Sequence, residues 1–172
     1  MVDVALFIPP DLKEMTEKGK ESRGEGKQAG ICGQACLAVL LHQSISQILE
    51  SWKNQLEFKG YTGQRDLIKY LKNMGFEVKY KKKIENREAS YIARIQWIGE
   101  GEKKEKPFYG WNHWTVSSSY THYIFLAPSK GAFFCNETEG GWMNILDLEE
   151  YLKENNGVIT SFLEIKETAH NV

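Results

Sequence analysis

The stretch from Gly30 to Leu41 reads GICGQACLAVLL, and the rest of the chain is organised around it. Cys32, flanked by glycines, precedes a run of small and apolar residues that contains no helix breaker before His42. This pattern predicts a buried helix with the cysteine in its first turn. The unpaired N–H groups and positive dipole end of a helix favour a thiolate and can stabilise the oxyanion formed when it attacks a carbonyl. The sequence therefore predicts a nucleophile at Cys32, with Gly33 leaving room for a substrate backbone.

Both cysteines of this stretch have a structural alternative, because free cysteine is among the most buried residue types. For Cys36 that alternative is the expectation, since its neighbours Leu37, Val39 and Leu40 are apolar. Cys32 lies instead at a junction between a loop and a helix. Its position favours the functional interpretation.

Composition narrows the class of protein. A chain of 172 residues with 41% hydrophobic content can bury the core of one domain. Its 22 Lys and Arg residues nearly balance 23 Asp and Glu residues, so the totals predict neither a nucleic-acid partner nor a membrane surface. The N-terminus lacks the basic region of a signal peptide, and the three cysteines are an odd number. We therefore expect a cytoplasmic protein with reduced thiols.

The chain divides into a helical first half and a sheet-forming second half. A polar N-terminal arm is predicted over 1–27, beginning with a short strand at 4–8, and one domain is predicted over 28–172. Hydrophobic periodicity and caps predict further helices after Ser44 and over 64–74 and 145–154. Runs rich in aromatic and β-branched residues predict antiparallel strands over 76–80, 91–98, 113–118, 122–126, 132–135 and 158–165. The expected class is α+β, with N-terminal helices packed on a C-terminal antiparallel β-sheet.

A cysteine nucleophile needs a base, and neutral imidazole suits that role near neutral pH. His170 lies in a polar tail, and His42 lies about 15 Å along the helix from the thiol. His122 is interpreted as a turn or surface residue between two strands. His113 begins a predicted strand beside two tryptophans and is the best partner for Cys32, with a purely structural histidine as the alternative.

Three segments together resemble the C39-like peptidases, the double-glycine leader peptidase branch of the papain-like superfamily. Residues 28–40 are similar to the nucleophile motif, and residues 62–78 are similar to the helix and strand that follow it. Residues 113–116 and 123–128 resemble the histidine strand and the strand that ends in Asp-Pro. The likeness runs from about Gln28 to Leu152. It implies a papain-like fold and a cysteine peptidase that cleaves after small residues such as a Gly-Gly pair.

The resemblance also implies roles for individual residues. Cys32 would be the nucleophile, and His113 would be the base that later protonates the leaving amine. Gln28 is the candidate oxyanion donor, although it precedes the cysteine by four residues where the family usually has six; Gln34 is the alternative. The orienting acid of the family is replaced by Ala127, which cannot accept a hydrogen bond. Substitutes for that acid could come from Ser129, Asn136 or Glu137.

The missing acid supports a second hypothesis, a catalytically impaired papain-like protein that binds or sequesters a peptide or small ligand in the same cleft. Tyr109 and Trp111, in a loop containing proline and glycine, are expected at the rim of that pocket. The cysteines and histidines show no close Cys-x-x-Cys pairing, so neither a metal nor another cofactor is predicted. The resemblance implies a peptide substrate, and coupling to peptide export would require a separate protein partner.

Overall fold

The computed structural model describes residues 7–23, 31–56, 63–97, 121–135, 140–154 and 157–167. Within these ranges the chain forms helices and one antiparallel sheet, which confirms the predicted α+β class. The helices are α1 Leu12–Arg23, α2 Cys32–Leu41, α3 Ile45–Gln55, α4 Gln64–Asn73 and α5 Ile145–Glu154. The strands are β1 Phe76–Lys81, β2 Ser90–Trp97, β3 Thr121–Ala127, β4 Gly131–Cys135, β5 Gly140–Met143 and β6 Gly157–Glu167.

The six strands lie in the order β1-β6-β2-β3-β4-β5, and every neighbouring pair is antiparallel. Side chains alternate between the two faces of the sheet, so each face covers its own hydrophobic core. On β3, Tyr123, Phe125 and Ala127 join the core that contains α2, whereas Ile124 and Leu126 join the core beside α5. The sheet thus presents one face to the buried helix and the other to the last helix.

Helix α2 is the apolar centre of the first core. Every residue from Gly33 to Leu40 is buried, as expected for a helix that is apolar on all sides. It packs against α3, β3 and β4. The helix ends at His42, which adopts the left-handed conformation with φ of 53°. Both the predicted start and the predicted end are confirmed.

The caps of the next two helices also agree with the sequence. Ser44 and Gln47 form a capping box in which the Gln47 N–H donates to Ser44 Oγ at 3.1 Å and the Ser44 N–H donates to Gln47 Oε1 at 2.9 Å. Helix α4 is followed by Gly75, whose φ of 91° is readily accessible only to glycine. The start of α3 and the end of α4 are therefore specified by residues that are close together in the sequence.

Five of the predicted strands are confirmed, with ends within about two residues. The predicted strand at 113–118 lies outside the described residues, as does most of the one at 4–8. Strand β5 was not predicted, because its Gly140-Gly141 pair has low β propensity. Of the residues described, no helix combines the length and the apolar character needed to cross a membrane.

The described part of the N-terminal segment packs on the domain. Asp11 accepts hydrogen bonds from the N–H groups of Ile45 at 2.8 Å and Ser46 at 2.9 Å, at the start of α3. Trp142 Nε1 donates to the Phe7 carbonyl at 2.8 Å. Burial raises the pKa of Asp11, but the hydrogen bonds from Ser46 and Ile45 outweigh it, so the pKa lies below its ordinary value. Asp11 therefore acts as a cap that is supplied from outside the helix.

Asp11→Ala is expected to lower the free energy of unfolding by about 1–2 kcal/mol at pH 7, because it removes a charged cap from two N–H groups. The pKa of the Asp11 carboxyl is lower in the folded protein than in the unfolded chain, where it is about 3.9. The stabilisation is therefore complete above the unfolded pKa and is lost as the pH falls through the folded pKa. Urea denaturation from pH 7 to pH 2 measures it. Glu14→Ala, at an exposed carboxylate on α1, is the matched control, and an equal loss there would contradict the capping role.

Gly131 begins β4 with φ of 143°, and a Cβ added there would lie 2.7 Å from the Met143 carbonyl oxygen. Gly131→Ala is expected to destabilise the protein by about 2–4 kcal/mol, since backbone strain and a backbone clash combine. At Gly141, a Cβ would meet no atom within 4 Å. Gly141→Ala should therefore stay within about 0.5 kcal/mol of the parent in urea denaturation. Equal effects at the two glycines would contradict this account.

Candidate active site at the first turn of the buried helix

Cys32 is the first residue of α2 and is partly exposed, whereas Cys36, one turn further, is only 1% exposed. The predicted burial of Cys36 and the predicted place of Cys32 at the start of a helix are confirmed. The N-cap residue Ile31 supplies no side-chain hydrogen bond, and the first turn contains no acidic residue. Within the described residues 31–41, no acidic side chain thus offsets the positive end of the dipole, and that end favours a thiolate.

Tyr123 lies on the face of β3 that packs against α2, and it is 5% exposed. Burial is the main cause that raises the pKa of its phenol, and the nearby charge of Cys32 raises it further. The charge of Arg94 and a hydrogen bond from that residue oppose the shift but do not cancel it. The Tyr123 hydroxyl therefore remains protonated throughout the neutral pH range, within electrostatic reach of the thiol.

Arg94 lies on β2 directly opposite Tyr123 in the β2–β3 register. Its guanidinium hydrogen-bonds to the Tyr123 hydroxyl, and Nη1 donates to Thr160 Oγ1 of β6 at 3.2 Å. The β2–β6 pairing shifts register immediately after Arg94. The arginine therefore links three strands of the sheet.

Two further polar groups lie in the same core. Gln34, the alternative oxyanion donor, is fully buried within α2, so a substrate cannot reach its amide. Ser161 of β6 is 2% exposed and accepts a hydrogen bond from Gln64 Nε2 at 2.8 Å. That bond joins the start of α4 to the sheet.

Several residues predicted for the site lie outside the described residues: Gln28, Tyr109, Trp111 and His113. Their roles stay predictions. Gly33 is buried as the second residue of α2. The backbone of His122 lies within β3, opposite Ile95. Ala127 is the last residue of β3, 5% exposed, and its carbonyl accepts from the Lys130 N–H at the following turn.

Sequence reasoning did not find Tyr123, whose phenol is affected by the charge of Cys32, or Arg94, which lies opposite Tyr123 on β2. A signal for Arg94 was present, because it is the one charged residue in the otherwise apolar stretch from Tyr91 to Ile95. Alternation places it on the same face as Ile92, which belongs to the core around α2. For Tyr123 no local signal exists, since a tyrosine in a buried strand is ordinary core material.

The structure shows an α+β protein with a partly exposed thiol at the start of a buried helix, and a buried tyrosine of β3 lies within electrostatic reach of that thiol. A thiol at a helix start is suited to nucleophilic attack on a carbonyl, because the helix N–H groups and the positive end of the dipole lie beside it. In comparisons with known proteins, no family model matches the chain and no curated protein matches it.

Proposed function

We propose that this protein is a cysteine peptidase or amidase of the C39-like, papain-like type, in which Cys32 attacks a peptide or isopeptide carbonyl. The observation that carries the proposal is the position of Cys32, partly exposed in the first turn of a helix whose next eight residues are buried. Cys36, on the same helix, has the burial of a structural cysteine and provides the contrast. The resemblance of residues 28–40 to the nucleophile motif of that family points to the same reaction.

In the proposed reaction, His113 takes the proton of the Cys32 thiol, and the sulfur forms a bond to the substrate carbonyl carbon. N–H groups at the start of α2 hold the resulting oxyanion, with Gln28 as a further proposed donor. The carbon–nitrogen bond then breaks, and the leaving amine receives its proton from His113. Water hydrolyses the thioester, which releases the acid product and restores the thiol.

The group that orients His113 is not expected at position 127. Ala127 lies four residues along β3 from Tyr123, about 13 Å at the usual rise per residue. It adjoins the turn between β3 and β4, and alanine has no side-chain acceptor. Strand β4 runs back from that turn, and Asn136 is the next residue in the sequence after it. Of the substitutes that the sequence offers, which are Ser129, Asn136 and Glu137, we propose Asn136, because its amide oxygen can accept from an imidazole N–H.

The experiment that tests the proposal measures the rate at which iodoacetamide alkylates Cys32 between pH 4 and pH 10, with peptide mapping to separate the cysteines. A nucleophilic Cys32 is expected to react with a midpoint clearly below 8.5, the value of an ordinary thiol. His113→Ala is expected to raise that midpoint, and Cys32→Ala removes the labelled site. An ordinary midpoint that His113→Ala leaves unchanged would contradict the peptidase and favour the ligand-binding protein.

A further inference from the structure

Positive charge is concentrated in helix α4 and strand β1. Residues 64–83 contain seven basic side chains and two acidic ones, although the net charge of the whole chain is -1. The unit formed by α4 and β1 is therefore strongly positive, and the rest of the chain is negative. A separation of charge on this scale gives one part of the surface a positive potential.

The basic residues of α4 lie on one face of the helix. Arg65, Lys69 and Lys72 are exposed, and their spacing of four and then three residues places them above one another. The opposite face carries the buried residues of the helix, among them Leu67 and Leu71. The face that α4 turns to solvent is therefore basic along most of its length.

Strand β1 extends this basic surface to the edge of the sheet. Helix α4 packs against β1, which is the outermost strand and pairs, among the described residues, with β6 alone. Residues 79–83 read KYKKK, and the side chains of Lys79, Lys82 and Lys83 are exposed. In an edge strand, alternate residues turn their backbone N–H and C=O groups away from the sheet. The outer edge of β1 thus offers backbone hydrogen bonds beside several ammonium groups.

Two lysines of β1 show which groups this surface holds. Lys79 Nζ lies 3.4 Å from Glu77 Oε1, and Lys81 Nζ lies 3.5 Å from Glu85 Oε2. Both glutamates and Lys79 are half exposed, and exposed pairs of this kind contribute little to stability. Carboxylates from another molecule can therefore replace them at little cost.

The surroundings of Tyr80 favour a polypeptide over a nucleic acid as the partner. Tyr80 is 50% exposed, but Lys82 Nζ lies 5.0 Å from the centroid of its ring and donates to its hydroxyl at 2.8 Å. Surfaces that bind single-stranded nucleic acids present aromatic rings on which bases stack, whereas one face of this ring is covered by an ammonium group. A polypeptide also has the backbone N–H and C=O groups that pair with a strand edge.

We propose that α4 and the outer edge of β1 form a docking surface for an extended acidic segment of a partner protein, which adds to the sheet as a strand beside β1. Backbone hydrogen bonds hold the segment, and its carboxylates pair with the basic side chains. The same lysines repel the β1 edge of a second copy, so the charge selects an acidic partner. The inference is independent of the proposed function, because β6 and β2 separate β1 from β3, about 14 Å at the usual strand spacing.

The test is fluorescence anisotropy with a labelled peptide of about ten residues in which glutamate and threonine alternate. It is expected to bind at least about tenfold more tightly than the same peptide with glutamine in place of glutamate, and the difference should shrink between about 0.05 M and about 0.3 M salt. A peptide N-methylated at every residue keeps the charge but has no backbone donor, so it is expected to bind about tenfold more weakly. Equal binding of the methylated peptide would overturn the addition of a strand.

Charge reversal in the protein locates the surface. Lys69→Glu with Lys83→Glu changes two exposed side chains and is expected to weaken the acidic peptide about tenfold or more without loss of the fold. The matched control is Lys53→Glu with Lys153→Glu, which makes the same change in net charge at exposed lysines of α3 and α5. Equal weakening by both double variants would overturn the docking surface. Tighter binding of a single-stranded oligothymidylate than of the acidic peptide would overturn the choice of partner.

Discussion

Cys32→Ser is expected to lower hydrolysis of a peptide ending in Gly-Gly-aminocoumarin by about 10⁴-fold or more. A serine hydroxyl fits the same space but ionises far less readily than a thiol, so the helix start cannot generate a comparable nucleophile. The variant should still fold, because Cys32 is partly exposed and is the first residue of α2. Release of the aminocoumarin, followed by fluorescence, measures the effect.

The control is Cys36→Ala on the same helix. Cys36 is 1% exposed and packs in the core around α2, so its loss should reduce stability while turnover per folded molecule is retained. A Cys32→Ser protein that keeps more than about a tenth of the parent rate would mean that the sulfur is not the nucleophile. Thermal denaturation of each variant separates a chemical effect from a folding defect.

His113→Ala is expected to lower the same turnover by about 10³–10⁴-fold near neutral pH, because both proton transfers lose their carrier. The loss should shrink as pH rises, since more of the thiol then ionises without a base. His122→Ala is the matched control, because that residue lies on β3 opposite Ile95 and has no proposed catalytic role. Initial rates from pH 5 to pH 9 for both variants make the comparison.

The opposite effects of the two histidine variants on turnover would identify a different base. If His122→Ala abolished turnover and His113→Ala did not, the base would come from β3 itself, and the assignment to His113 would be wrong. The proposed orienting residue provides a further check in the same assay. Asn136→Ala should lower the rate in the parent but add little to His113→Ala, because it acts only through that imidazole.

Much of the fold could be predicted because its signals are local. The bounds of α5 follow from its apolar spacing, and the capping box at Ser44 places the start of α3. Strand β5 was not predicted, because two adjacent glycines have low β propensity. This segment is a strand because it pairs with β4. The cap that Asp11 supplies to α3 joins residues 34 and 35 positions apart, which no short-range pattern could indicate.

The candidate site, too, could be predicted only in part from the sequence. The location of Cys32 and the burial of Cys36 both follow from the helix that begins at position 32, and the structure confirms both. The relation of Cys32 to Tyr123 and Arg94 does not follow, because it depends on which strand packs against α2. The register of β2 with β3 places Arg94 opposite Tyr123, and Tyr123 lies on the face of β3 that packs against α2.

By itself, the sequence determined the helices, most of the strands and the cysteine that stands at a helix start, because caps, glycines and hydrophobic periodicity act within a few residues. Only the tertiary structure decided what surrounds the sulfur. Arg94 and Tyr123 meet because antiparallel pairing aligns two distant segments, and burial beneath α2 keeps the phenol protonated. Contacts between segments far apart in the chain depend on register and burial, and neither quantity is contained in any single stretch of residues.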